Sequence, residues 1–328
     1  MKSIMSLVVV FLVLTLTRCG SALGSDPQAV PTSSLVSPTS TQPAPMSTPV
    51  SPTITKLPPT KTPLPPTPTQ IQPTSTPTPP GDPVLGDEWV RPSDDMVMSF
   101  IPAGEFEMGS TESNPCGHLD EFPQHIVNLD GYWIDQTQVT NAQYRRCVDN
   151  QVCMPASSCG WGVATYDEES KADHPVVCVT WEEARTNCEW SGGRLPTEAQ
   201  WEKAAQGGDG RAYPWGEEFD AGKCNSGESG INEATPVRLY SPQGDSPYGL
   251  ADMAGNVWEW MIDWYDIDYY AKARTQNPTG PAAGNRKALR GGSYYGDLCN
   301  ARTTYRYYDI PYGRGPGVGF RCVRPTGE

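Results

Sequence analysis

The chain has 328 residues, among them 34 prolines, 32 glycines and ten cysteines, and its formal net charge is −14 at pH 7. A chain this acidic, with a pI near 4.7, does not suit binding to a phosphate backbone, so nucleic acid is excluded as a partner. All but one of its aromatic residues lie from Trp89 onward. We therefore predict one folded domain over residues 89–328, preceded by a long leader.

An apolar run, Ile4–Leu16, opens the leader. Its length suits a signal peptide over residues 1–22 and is short for a membrane span, so the sequence predicts export. The residues around Cys19 resemble a bacterial lipobox, although Arg18 differs from the small residue usual there. We expect lipid anchoring through Cys19, on the outer face of the bacterial cytoplasmic membrane or on the cell surface. Ordinary cleavage near Ala22 and an uncleaved anchor are the alternatives.

Residues 23–88 form the second part of the leader. From Pro27 to Pro83 they contain 18 prolines and 13 threonines, and they include no aromatic residue. A segment of this composition buries too little apolar surface to offset the entropy of ordering. We predict a disordered, extended stalk that holds the domain away from the membrane.

The domain begins with short strands and one helix. Two strands joined by a glycine turn are predicted within Ser99–Gly109, and a third is predicted at Tyr132–Ile134. Thr140 has the residue type of a helix N-cap, which predicts a helix that runs to about Asp149.

Two further helices follow before the regular patterns end. Thr180–Glu183 predicts a capping box for a helix that stops at Gly192-Gly193, and Thr197 caps the next helix. From Gly207 to the C terminus, glycine, proline and aromatic residues dominate, and we predict mostly loop. So much irregular backbone needs disulfides, bound ions or packed tryptophans to hold it.

Nine of the cysteines lie within the domain, which suits an oxidising compartment. Because nine is an odd number, at least one of them must be unpaired or bonded outside the chain. No Cys-x-x-Cys spacing occurs, which argues against a structural zinc site. The nine are Cys116, Cys147, Cys153, Cys159, Cys178, Cys188, Cys224, Cys299 and Cys322.

Seven short motifs follow one another through the domain. They are Ile101–Gly109, Val139–Asn141, Gly193–Glu202, Tyr213–Gly216, Gly249–Trp260, Arg290–Ser293 and Gly319–Cys322. This series resembles the sulfatase-modifying-factor family, of the formylglycine-generating enzyme type. The resemblance implies an α+β fold related to C-type lectins, with little regular secondary structure and with stabilisation by calcium and disulfides.

The enzymes of this family oxidise a cysteine of a sulfatase to formylglycine with oxygen and copper, which a Cys-x4-Cys pair holds after the Gly-Gly-Ser motif. The resemblance makes Cys299 and Ser293 the candidate catalytic residues. In one alignment Cys299 matches the first copper ligand and Thr304 the second; in the other, the two positions fall on Gly296 and Ala301. Because Cu(I) prefers two soft thiolates, we expect the oxidase reaction to be absent or greatly weakened.

Other cysteines are assigned to disulfides. The resemblance implies a bond between Cys188 and Cys322. The cysteines at positions 147, 153, 159 and 178 are extra to the enzyme pattern, and they are predicted to staple the insertion Val152–Trp161. Cys299 has a second interpretation as a disulfide partner, with Cys224 as its candidate mate.

The resemblance also implies two calcium sites. We term the first the Asp252 position: it takes side-chain oxygens from Asp252 and Glu259, and backbone carbonyls from Gly255 and Val257. Hard oxygen ligands from a loop that contains glycine are what Ca²⁺ requires.

The second calcium site, termed the Asn225 position, departs from the family pattern. It would use the Asn225 side chain and the carbonyls of Ser226 and Ile231. Ser229 stands where the enzymes have an aspartate, which removes one charged ligand.

Aromatic residues late in the chain are predicted to line a cleft floor, although most of them could equally be core. With the copper pair incomplete, the sequence favours an exported, non-catalytic or diverged family member, stabilised by calcium, that binds a protein, peptide or glycan outside the cell. The alternative is an oxidase that converts a sulfatase cysteine to formylglycine with copper and oxygen. The cleft residues are Trp258, Trp260, Tyr305, Tyr307, Tyr308 and Tyr312.

Overall fold

The structure, a computed structural model, describes residues 79–160, 162 and 164–326. The predicted signal peptide, Cys19 and the stalk up to residue 78 lie outside the described residues. Within the described ranges, no helix combines the length and the apolar character that a membrane crossing requires.

The described part contains three α-helices and ten short strands, joined by long irregular connections. The helices are α1 (Asn141–Asp149), α2 (Trp181–Trp190) and α3 (Glu198–Gln206). The strands are β1 (Glu88–Val90), β2 (Val97–Ile101), β3 (Gly104–Met108), β4 (His125–Leu129), β5 (Tyr132–Asp135), β6 (Trp258–Trp264), β7 (Lys287–Arg290), β8 (Tyr307–Asp309), β9 (Val318–Gly319) and β10 (Val323–Pro325). The expected α+β fold of low regular content is therefore confirmed.

The strands form three small sheets. The first has the order β1-β2-β5-β10 with antiparallel neighbours, so the last strand pairs beside β5. The second is the antiparallel pair β3-β4. The third has the order β8-β7-β6-β9, in which β6 and β9 run parallel. Strands far apart in the sequence thus meet in both four-stranded sheets.

A threonine is the N-cap residue of each of the three helices, as the sequence predicts. Thr140, Thr180 and Thr197 each accept a hydrogen bond from the backbone N–H three residues on, and the side chain of that residue accepts from the threonine N–H. Such reciprocal bonds satisfy two helix-terminal donors that would otherwise lack partners. The three predicted helix starts are confirmed, and α2 ends just before Gly192-Gly193.

The strand predictions before Gly207 are confirmed, but one sheet after it was missed. The two strands within Ser99–Gly109 are present but belong to different sheets, because β2 pairs with β1 and β5 while β3 pairs with β4. After Gly207, the prediction of mostly loop misses the third sheet, whose strand β6 is buried along most of its length. A strand covered on both faces lacks the polar alternation that reveals half-buried strands.

The core combines tryptophans with buried arginines. Trp133, Trp201 and Trp260 are fully buried, and so are Arg290 and Arg321. Each of these two arginines is paired with a buried glutamate. Because a buried charge is costly unless it is paired and hydrogen-bonded, these contacts tie α3 to β7, and β6 to the segment before β10.

Four disulfides cross-link the described residues: Cys116–Cys299, Cys147–Cys153, Cys159–Cys178 and Cys188–Cys322. Cys188 and Cys322 are the pair that the resemblance implies, and the two bonds at residues 147–178 staple the predicted insertion. Cys299 forms a disulfide, as one interpretation of the sequence held, but the suggested partner, Cys224, was wrong. Its partner is Cys116, and Cys224 is the unpaired, buried cysteine of the described part. Cys224 instead packs in a small hydrophobic cluster with Tyr213.

Candidate functional site

The loop Ser293–Thr304, which contains the candidate catalytic residues, follows β7. Ser293 is buried, and its carbonyl oxygen accepts a hydrogen bond from the Gly296 N–H at 2.9 Å. Gly292, just before it, has a φ of +77°, and a Cβ there would lie 2.9 Å from the carbonyl oxygen of Asn300. Glycine at this position therefore allows the two ends of the loop to approach each other.

Cys299 is held by a disulfide and by one arginine. Its sulfur is bonded to Cys116, which lies in the connection after β3. The Arg302 guanidinium donates to the carbonyl oxygen of Cys116 at 2.6 Å and to that of Cys299 at 3.1 Å. One side chain thus binds both halves of the cross-link.

Arg302 and Thr304 share a buried carboxylate. The Arg302 guanidinium donates to the two oxygens of Glu121 at 2.6 and 2.8 Å. Thr304 Oγ1 donates to Glu121 Oε2 at 2.8 Å and accepts from Arg302 at the same distance. All three side chains are buried. The hydroxyl at the second aligned copper position is therefore fully engaged.

These contacts test whether the residues fit copper. In the alignment through Cys299, the sulfur belongs to a disulfide and the Thr304 oxygen is committed to its hydrogen bonds. In the other alignment, Gly296 and Ala301 offer no donor side chain. Cu(I) sites need soft thiolate ligands, and neither set of residues supplies one. The residues therefore do not fit a copper ion.

Four side chains on and beside this loop form what we term the aromatic face: Trp258, Tyr295, Tyr305 and Tyr307. The Trp258 ring centroid lies 5.0 Å from that of Tyr307, nearly parallel to it, and 5.8 Å from that of Tyr305. The Tyr295 ring covers Gly317, whose carbonyl accepts from the Trp258 N–H. Trp258 and Tyr305 are buried, whereas Tyr295 and Tyr307 are 47% and 44% exposed. Two tyrosine rings thus face solvent above a buried floor.

The other predicted cleft residues lie elsewhere or at the edge of this face. Trp260 is fully buried and its indole N–H donates to a backbone carbonyl, so it is core. Tyr308 stacks beside Tyr307, with the Arg286 guanidinium 4.3 Å from its ring centroid. Tyr312 is 75% exposed and lies outside the aromatic face.

Arg306 fixes the backbone between Tyr305 and Tyr307. Its guanidinium donates twice to the carboxylate of Glu198, at 2.8 Å in each case, and Glu198 also accepts from Arg290 at 3.1 Å. Burial acts to raise the pKa of Glu198, but the two arginines more than offset it, so the pKa is lowered. A charged, hydrogen-bonded network therefore positions the exposed tyrosine.

The residues of the Asp252 position are brought together. The buried Glu259 carboxylate accepts from Arg321 at 2.7 and 2.8 Å, from the Trp201 indole at 2.7 Å and from the Gln138 amide at 3.1 Å. Asp252 accepts from a backbone N–H at 2.8 Å, and burial raises the pKa of its carboxyl to about 6. Glu259 and the Val257 carbonyl oxygen thus meet at the Gln138 amide, whereas the Asp252 carboxylate is bonded elsewhere, to the Arg238 N–H.

The residues of the Asn225 position also meet. The Ser229 hydroxyl lies 3.0 Å from Asn225 Oδ1 and 2.7 Å from the carbonyl oxygen of Ser226. Ile231 is 39% exposed, and its backbone N–H donates to the Ser229 hydroxyl at 3.3 Å. Gly255 links the two positions: its φ is +78°, and a Cβ there would lie 2.2 Å from the carbonyl oxygen of Asn225.

These donor sets do not fit calcium in this arrangement. Ca²⁺ takes six to eight oxygen ligands whose lone pairs are free. At the Asp252 position the Glu259 carboxylate already accepts four hydrogen bonds, and at the Asn225 position the Ser229 hydroxyl lies between the two oxygens. Across the described ranges, no three His, Cys, Asp or Glu side chains gather as a metal site of those residue types would require.

Several residues of these sites were not predicted from the sequence, among them Cys116 as a disulfide partner, Glu121, Tyr295 and Gln138. Cys116 is 183 residues from Cys299, and an odd number of cysteines left the pairing open. Gln138 directly precedes the motif Val139–Asn141. That adjacency is the signal by which Gln138 could have been found.

Comparisons with known proteins identify the family. The family model described as "Sulfatase-modifying factor enzyme 1-like domain" matches residues 86–326. The formylglycine-generating enzyme of Streptomyces coelicolor is 34% identical, over 71% of this chain and 90% of that protein. A Bos taurus protein named inactive C-alpha-formylglycine-generating enzyme 2 is 29% identical, over 75% of this chain and 95% of that protein.

A solved structure shows the same fold. PvdO from Pseudomonas aeruginosa matches with a TM-score of 0.66 and 23% identity, over 74% of this chain and 100% of that one. At this identity the likeness concerns the fold alone. The family model and the Streptomyces relative carry the further conclusion: the chain belongs to the sulfatase-modifying factor family and is related to the formylglycine-generating enzymes.

Proposed function

We propose that this domain is a non-catalytic member of its family that binds a protein, peptide or glycan outside the cell. The observation that carries the proposal is the bond between Cys116 and Cys299, which occupies the only sulfur that either copper alignment offers. Without a pair of thiolates, Cu(I) has no suitable ligands at this loop.

Family membership alone is compatible with either role. One relative bears the name of the enzyme and another is named inactive. The chemistry of the loop Ser293–Thr304, which offers no free thiolate, favours the non-catalytic role. The apolar run, the lipobox around Cys19 and the stalk support a location outside the cell, anchored to a membrane.

The aromatic face is the surface that we assign to the ligand. Tyr307 is stacked on Trp258, and the Arg306–Glu198 ion pair holds the adjoining backbone. A ring that is already fixed loses little conformational entropy on binding, and a tyrosine offers an apolar surface with a polar tip. Proteins, peptides and glycans can all use that combination. The net charge of −14 disfavours anionic ligands.

The proposal is tested with the full chain, its disulfides intact, supplied with Cu(I), oxygen and a Cys-x-Pro-x-Arg peptide. The Streptomyces coelicolor enzyme serves as the positive control. We expect neither stoichiometric Cu(I) binding nor aldehyde formation, because Cys299 is bonded to Cys116. A chain that binds one Cu(I) and forms the aldehyde would be the oxidase, and the proposal would be abandoned.

The same preparation is applied to glycan and peptide arrays to test the binding role. We expect a retained ligand whose affinity falls at least about tenfold in Tyr307→Ala, since an aromatic contact contributes on the order of 1 kcal/mol or more. Tyr312→Ala removes an exposed tyrosine outside the aromatic face and should bind as the wild type does. An equal loss in both variants, or no ligand on either array, would count against this face.

A further inference from the structure

A continuous series of neutral side chains runs through both predicted calcium positions. We term it the neutral chain, and it consists of Gln138, Asn256, Asn225 and Ser229. Asn256 Nδ2 donates to Gln138 Oε1 at 3.0 Å, Asn225 Nδ2 donates to Asn256 Oδ1 at 3.3 Å, and Ser229 Oγ donates to Asn225 Oδ1 at 3.0 Å. The first three residues are almost fully buried. Each predicted ion position therefore contains one end of this chain.

The backbone fixes the direction of the amides in the neutral chain. The Thr235 N–H can only donate, and it lies 2.9 Å from Asn256 Oδ1. Asn256 must then present its NH₂ to Gln138, whose oxygen faces Asn256 as a result. The NH₂ of Gln138 therefore points the other way, into the Asp252 position.

Gln138 meets two of the oxygens that calcium would need. Its Nε2 lies 3.0 Å from the Val257 carbonyl oxygen, 3.1 Å from Glu259 Oε1 and 3.3 Å from the Asp252 carbonyl oxygen. Two of these oxygens, the Val257 carbonyl and Glu259 Oε1, are ligands that the resemblance assigns to the ion. The predicted ligand from Asp252 is its carboxylate, which accepts from the Arg238 N–H instead. The Gln138 NH₂ has two hydrogens, and its two shortest contacts are to the Val257 carbonyl and Glu259, so both of these predicted ligands are hydrogen-bonded without a metal.

The charge of Glu259 is balanced by the protein as well. Arg321 donates to both carboxylate oxygens, and the Trp201 indole and Gln138 supply one bond each. An ionised carboxylate offers about four lone-pair sites, and all are taken. Arg321 is itself held by the carbonyl oxygens of Asp135 and Ala251.

The Asn225 position is filled by a hydroxyl. Ser229 Oγ lies 3.0 Å from Asn225 Oδ1 and 2.7 Å from the Ser226 carbonyl oxygen, so its single proton is shared between two predicted ligands, and it accepts from the Ile231 N–H at 3.3 Å. The glycine of the neighbouring loop is also explained without an ion, because Gly255 packs directly against the Asn225 backbone. Contacts within the protein thus account for the filled Asn225 position and for the glycine at position 255.

We infer that the neutral chain, together with Arg321, takes the place of both calcium ions, so that this domain folds and remains stable without calcium. Gln138 and Ser229 supply the contacts that would otherwise require a cation. The calcium prediction drawn from the resemblance would then fail for this chain.

The test compares the full wild-type chain in calcium and in a chelator. A tightly held ion in about hundredfold excess over its Kd would raise the melting temperature by roughly 5–10 °C. We expect a difference below about 1 °C, and no calcium retained through gel filtration by elemental analysis. Stoichiometric calcium in the purified protein, or a melting temperature that the chelator lowers by several degrees, would overturn the inference.

A variant tests the role of Gln138 directly. Gln138→Glu replaces the NH₂ with a carboxylate oxygen beside Glu259, so like charges meet unless a cation lies between them. We expect its melting temperature to fall in the chelator and to recover with calcium. Gln243→Glu adds the same charge at an exposed position and should respond to neither. A Gln138→Glu chain that melts like the wild type in both buffers would refute the inference.

Discussion

Replacing both Cys188 and Cys322 with serine is expected to lower the free energy of unfolding by about 5 kcal/mol. The two residues are 134 positions apart, and they join α2 to the segment before β10. A cross-link that closes so long a loop removes much of the entropy of the unfolded chain. The measurement is chemical denaturation of the purified double variant under non-reducing conditions.

The Cys147–Cys153 bond provides the matched control. It closes a loop of sequence separation 6, for which the chain-entropy relation gives about 2 kcal/mol. The double serine variant of that pair should therefore unfold at a denaturant concentration closer to the wild-type midpoint. Equal losses in the two double variants would show that loop length does not set the contribution of Cys188–Cys322.

Arg302→Ala is expected to lower the free energy of unfolding by about 3–5 kcal/mol, because it leaves the Glu121 carboxylate buried without its partner. Both side chains are almost wholly buried, and Arg302 also donates to the carbonyls of Cys116 and Cys299. The variant should therefore also loosen the loop Ser293–Thr304. Denaturation measures the first effect, and amide hydrogen exchange across the loop measures the second.

Arg185→Ala is the control for Arg302→Ala. Arg185 forms ion pairs with Glu182 and Glu189 on the outer face of α2, where its side chain is 33% exposed. Exposed pairs of this kind contribute at most about 1 kcal/mol. If Arg302→Ala proved no more destabilising than Arg185→Ala, the buried network would not hold the loop.

The helices were predictable because their signals are local. Each helix start needs only a threonine and a residue three positions later, so both partners lie within a single short segment of the sequence. The family could be recognised for a similar reason, because each motif is a short contiguous segment. The expected pair Cys188–Cys322 entered through that resemblance and is present in the structure.

The functional loop was less predictable because its contacts are remote in the sequence. Cys116 and Glu121 lie in a connection far from Cys299 and Thr304, and no local pattern relates them. Strand β6 escaped prediction because both of its faces are covered. Only the fold brings these segments together, so the Cys116–Cys299 bond and the burial of Glu121 and β6 could be found only in the structure.

The loop Ser293–Thr304 is the place where this chain differs from the family enzymes in the residues that hold the backbone. In the family enzymes the corresponding segment holds copper; here a disulfide, Arg302 and Glu121 hold it instead. The proposed non-catalytic role rests on this difference in the residues that hold the segment. The exposed tyrosines beside it then remain as a preformed surface for binding.

The state of Cys299 is the point on which the proposed function depends. It is measured by alkylating the folded full chain, digesting it without reduction and mapping the peptides by mass spectrometry. We expect a linked peptide that contains Cys116 and Cys299, with Cys224 found unpaired once the chain is unfolded. An alkylated Cys299 in the folded protein, with no link to Cys116, would contradict the cross-link on which the proposed non-catalytic role rests.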